Sequence, residues 1–78
     1  MYLVKKVREI IGLNPWSMHK LMKKRSIQAY LSLERSAERI SLADYLALQR
    51  IYIEHTGGSV SDFTELVNLC ETEKETDN

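Results

Sequence analysis

Lys23, Lys24 and Arg25 stand side by side, followed at once by Ser26 and then by Gln28. Adjacent cations can neutralise phosphate oxygens. A serine ahead of apolar residues three apart, Tyr30 and Leu33, marks the start of a helix. A glutamine in the first turn of that helix can donate to N7 of adenine and accept from its N6–H at once. The residue types divide the work: the cations would hold a phosphate backbone in place, and Gln28 would read a base edge.

The other reactive side chains form no comparable set. His19 and His55 lie far apart, with no neighbouring cysteine and no repeated acidic spacing, so neither a metal site nor a general base is expected. Cys70 is the only cysteine, which excludes an internal disulfide, and nothing near it in sequence marks an activating base. Gly57-Gly58 lacks the lysine and the preceding strand of a phosphate-cradling loop. The expectation is a non-enzymatic chain without cofactor, metal or small-molecule substrate. No apolar run is long enough for a membrane helix and the start has no signal-peptide layout, which points to a cytoplasmic protein with no membrane partner.

At 78 residues the chain is one small domain that must spend most of its apolar side chains on a core. Its net charge of zero is a cancellation. Residues 1–39 hold nine basic and three acidic side chains, a balance of +6; residues 40–78 hold two basic and eight acidic, a balance of −6. A basic half can neutralise phosphates locally, while the acidic half weakens long-range attraction.

Five helical segments and no strand place these residues. In the first, Leu3, Val7, Ile10 and Ile11 recur at helical spacing before Gly12, a C-terminal cap. Asn14-Pro15 opens a second that runs to about Lys24, with Trp16, Met18, Leu21 and Met22 as its apolar set. Ser26 caps the third, with Ala29, Tyr30 and Leu33 inward and Ile27, Gln28, Leu31 and Ser32 outward, fraying near Ser36. Ser41 and Asp44 open a fourth, which Leu42, Tyr45, Leu46, Leu48, Ile51, Tyr52 and Ile53 nearly encircle, as at the centre of a bundle or at a subunit contact. Ser59 or Ser61 caps a fifth with Val60, Phe63, Leu66 and Val67 inward. By position Trp16 and the tyrosines Tyr30, Tyr45 and Tyr52 are core or staple residues. The domain spans 1–70. Residues 71–78 carry no apolar side chain and a net charge of −3, and are expected to form a disordered acidic tail.

Two short helices joined by a basic turn, the second uncharged on its outer face at the start, have the layout of a helix-turn-helix. From about Val4 to Val67 the order of segments resembles the Xre, or Cro/repressor-type (lambda-repressor-like), domains. Gly12-Leu13-Asn14 opens the second helix, SIQAYLSLERS (26–36) stands where the recognition helix would be, and SVSDFTELV (59–67) stands at the closing helix. The resemblance implies an all-α, compact five-helix lambda-repressor-like bundle. It further implies that Ile27, Gln28 and Ser32 meet bases and that Asn14, Trp16, Lys23, Lys24, Arg25, Ser26 and Arg35 meet phosphates. Arg8 would pair across the core with Glu34. Pro15, His19 and Lys23-Lys24 stand where the family has a glutamine, a small alanine and a turn glycine.

The expected function is sequence-specific binding of double-stranded DNA by a small transcriptional regulator, a repressor of bacterial or phage type, acting as a homodimer on two half-sites. Its dimer surface would use the fourth and fifth helices. The alternative is a protein-interaction module, such as an antitoxin or a phage-encoded inhibitor, on the same helical fold.

Overall fold

The structure, a computed structural model, describes residues 2–35 and 40–76. Five helices follow one another: α1 (Leu3–Ile11), α2 (Pro15–Leu21), α3 (Ile27–Arg35), α4 (Leu42–Thr56) and α5 (Val60–Thr76). There is no strand among the described residues, so the fold is all-α.

Each boundary has a local cause. α1 ends where Gly12 turns left-handed at φ 76°, and both the Gly12 and Leu13 N–H groups donate to the Arg8 carbonyl, at 3.0 and 3.2 Å. Asn14 Oδ1 accepts from Ser17 N–H at 2.8 Å, with Pro15 in the first helical position of α2. α2 stops at Leu21, earlier than the sequence spacing implies, because Lys23 itself turns left-handed at φ 56°. The Ser26 hydroxyl accepts from Ala29 N–H at 3.2 Å and caps α3; Ser41 does the same for Asp44 N–H at α4. Ser59, not Ser61, caps α5, in a reciprocal box: Asp62 N–H donates to Ser59 Oγ at 3.2 Å and Ser59 N–H to Asp62 Oδ2 at 2.9 Å.

α1 packs against α3, α4 and α5, while α2 rests on α3. The core joins Leu3, Val4 and Val7 of α1 to Met18, Met22, Tyr30, Leu48, Ile51, Phe63, Leu66, Val67 and Cys70. Phe63 receives the rings of Tyr45 and Tyr52 at centroid distances of 5.3 and 5.6 Å.

Several faces differ from the sequence reading. Ile10 is 46% exposed and Val4 takes its place in the core. α3 is rotated: its inward stripe is Ile27, Tyr30, Leu31 and Glu34, with Leu33, expected inward, still packed against the core along its border, which leaves only Ala29 of the expected set exposed. The stripe positions follow the i, i+3, i+4, i+7 rule once Glu34 is drawn inward by Arg8. The apolar residues around α4 do not bury it on all sides, since Leu42 and Leu46 stay exposed, and Val60, expected inward on α5, is exposed where the helix begins, while Phe63, Leu66 and Val67 are buried as expected. Where a disordered tail from Glu71 was expected, the backbone continues as helix to Thr76; Glu71, Glu73, Lys74 and Glu75 are good helix formers. Residues 36–39, where α3 was expected to fray, lie outside the described residues, as do Asp77 and Asn78.

Candidate nucleic-acid interface

The outer face of α3 is set by what lies beneath it. Arg8 Nε donates to Glu34 Oε2 at 2.7 Å and Nη2 to Oε1 at 3.3 Å, a two-pronged pair that ties the end of α3 to α1. Arg8 Nη1 also donates to the Leu13 carbonyl at 3.2 Å, so the same side chain fixes the link into α2. Burial works to raise the Glu34 pKa, but the Arg8 hydrogen bond, the nearby Tyr30 hydroxyl and the Arg8 charge outweigh it and hold the carboxyl below its ordinary value. The Glu34 hydrogen bond in turn raises the Arg8 pKa. Tyr30 is fully buried beside the pair, and burial first, then the Glu34 carboxylate, pushes its phenol well above the usual range. Its hydroxyl nevertheless meets no partner within hydrogen-bonding geometry.

With Tyr30 and Glu34 pointing in, Gln28, Ala29, Ser32 and Arg35 are exposed. At 100° per residue they form one continuous strip: Gln28, Ser32 and Arg35 follow the helix at i, i+4 and i+7, with Ala29 along one border. The first-turn end of this strip carries no charge. It presents an amide able to donate and accept at once, a methyl group and a hydroxyl, while Arg35 closes the far end. Ile27, expected at a base, packs partly on the edge of the core instead and shows only part of its side chain.

The turn before α3 also departs from expectation. Lys23 and Arg25 are exposed, as are Asn14 and Ser26, but Lys24 is not a free cation. Its Nζ donates to Asp44 Oδ1 at 2.8 Å and ties the turn to the first turn of α4. Nothing in a separation of 20 residues announces that contact in sequence. Lys23 occupies the left-handed conformation for which the resemblance supplies a glycine. Asn14 Oδ1 and Ser26 Oγ are engaged in capping, so only their donor groups remain to meet a phosphate oxygen.

On α2, Trp16 is 55% exposed rather than in the core, with its ring edge against His19 at 4.8 Å and Lys20 Nζ at 5.3 Å over its face. The helical spacing contained this outcome: Met18, His19 and Met22 share a side, and Trp16 lies about 200° from Met18. His19 is buried and its Nδ1–H donates to the Trp16 carbonyl, an assignment that fixes the tautomer. Among the described residues there is no group of His, Cys, Asp and Glu able to hold a metal ion. No helix there is long and apolar enough to cross a membrane. Comparison with family models, with curated proteins and with solved structures gives no match for this chain.

Proposed function

We propose that the chain binds double-stranded DNA sequence-specifically, as a small transcriptional regulator of the lambda-repressor-like kind, with α2 and α3 as its helix-turn-helix. One observation carries the reading. The exposed strip of α3 is neutral where Gln28, Ala29 and Ser32 stand, and it is bracketed by the exposed cations Lys23 and Arg25 before it and Arg35 after it. Neutral hydrogen-bonding groups suit base edges, and flanking cations suit the phosphates on either side of a groove. Trp16 and Lys20 are exposed on α2, the helix that rests on α3, and would be available to a phosphate backbone there.

A single strip of this length covers few base pairs, so two copies on half-sites about one helical turn apart supply operator affinity. Selection of bound sequences from a random duplex pool tests the proposal. The expected product is a two-fold symmetric pair of short motifs, bound with an affinity that falls steeply as salt rises. A pool that shows no enrichment, with no duplex binding at low salt, favours a protein-interaction module on the same helices.

A further inference from the structure

The turn between α2 and α3 holds three consecutive cations, and one of them is used inside the molecule. Lys23 turns left-handed at φ 56°, and the Lys24 N–H donates back to the His19 carbonyl at 3.0 Å. Lys23 and Arg25 stand exposed on either side, while the Lys24 side chain is only 25% exposed and sets its Nζ 2.8 Å from Asp44 Oδ1. The Asp44 side chain, 19% exposed, lies in the first turn of α4, where its own N–H donates to the capping Ser41 hydroxyl at 3.2 Å. On the DNA-binding reading above, on which this inference rests, we propose that Asp44 withholds Lys24 from the phosphate backbone, in the complex as in the free protein, and so holds down affinity for every duplex alike.

The balance of charges argues for a pair that stays closed on DNA. Moving Lys24 from Asp44 to a phosphate exchanges one anionic partner for another, so the ammonium gains little by it. The same move strips a largely covered carboxylate of its ion-pair partner and leaves it beside a polyanion. Partly buried pairs are screened by salt far less than exposed ones, and removing one partner costs more than the intact pair contributes. The turn therefore presents two cations to a duplex, and the third anchors it to α4 without adding to sequence-independent attraction.

Salt titrations of binding to the selected duplex and to a scrambled one test this on the full chain, with the wild type, Lys23→Gln, Asp44→Asn and the double variant Lys24→Gln/Asp44→Asn. Asp44→Asn keeps the side-chain shape and frees Lys24. It is expected to tighten both duplexes by the same factor, roughly five- to tenfold at about 0.1 M salt, and to steepen the slope of log affinity against log salt by about one. The double variant replaces a neutral pair with a neutral pair and is expected to keep the wild-type slope, whereas Lys23→Gln loses about one unit of it. Circular dichroism melts check that each variant is folded, and if Asp44→Asn is not, the double variant decides alone. A double variant whose slope falls by about one would place Lys24 on a phosphate and overturn the proposal. Unchanged affinity in a folded Asp44→Asn, or a change confined to the selected duplex as a purely positioning contact predicts, would overturn it too. A wild type that binds duplex without these shifts removes this proposal alone, while a wild type that binds no duplex at low salt removes the DNA-binding reading and the proposal with it.

Discussion

Glu34 sits under the outer strip of α3 with its carboxylate on Arg8 at 2.7 Å, so its removal leaves a half-buried guanidinium without a counter-charge. Glu34→Ala is expected to destabilise by about 3 kcal/mol in chemical denaturation, most of it the cost of that stranded charge. The folded carboxyl is held below its ordinary value, so the pair contributes stability above the unfolded pKa, about 4.3. That contribution is lost as pH falls through the folded value. Thermal melts of the wild type and Glu34→Gln should therefore converge in acid, and a gap that stays constant would contradict the assignment. Tyr30 gives the opposite kind of test. Its buried hydroxyl has no partner in hydrogen-bonding geometry, which favours its removal, but it also helps hold the Glu34 carboxyl down, so Tyr30→Phe should change stability by less than about 1 kcal/mol in either direction. The pairing of Arg8 with Glu34 was legible only through the family resemblance, since nothing in a separation of 26 residues encodes it. The exposure of Trp16 was legible in the spacing of Met18 and Met22 but ran against the usual burial of large aromatics.

The helices show how far local chemistry reaches. Asn14-Pro15, Ser26, Ser41, Gly12 and Gly57 mark boundaries that the structure keeps, because a cap is a contact between residues a few positions apart. The rotation of α3 was not legible in the same way. Choosing between Ala29 and Glu34 as the inward residue depends on Arg8, which belongs to another helix. The end of α2 was also hidden, since a lysine in left-handed conformation leaves no composition signal. Lys23 therefore carries a backbone cost that glycine would not. Lys23→Gly is expected to stabilise by about 0.5–1 kcal/mol in denaturant titration, and a clear loss of stability would show that the lysine side chain holds the turn.

For the whole molecule, the division of charge into a basic and an acidic half was readable from the sequence, and it frames what the surface can do. Residues 71–78 carry a net charge of −3 and follow Cys70, the last core residue among those whose burial is described. A chain ending at Cys70 is expected to keep cooperative thermal unfolding and to bind duplex DNA more tightly at low salt. Loss of cooperative unfolding would show that the final turns of α5 are structural. The division of roles between cations and Gln28 is the central claim, and one titration tests it most directly. Affinity for the selected duplex and for a scrambled one is measured at several salt concentrations, for the wild type and for Gln28→Ala. The account predicts a steep fall with salt for both proteins, and a loss of roughly 1–3 kcal/mol by Gln28→Ala on the selected duplex with little change on the scrambled one. Equal affinity of Gln28→Ala and the wild type for the selected duplex, or no duplex binding by either at low salt, would contradict it.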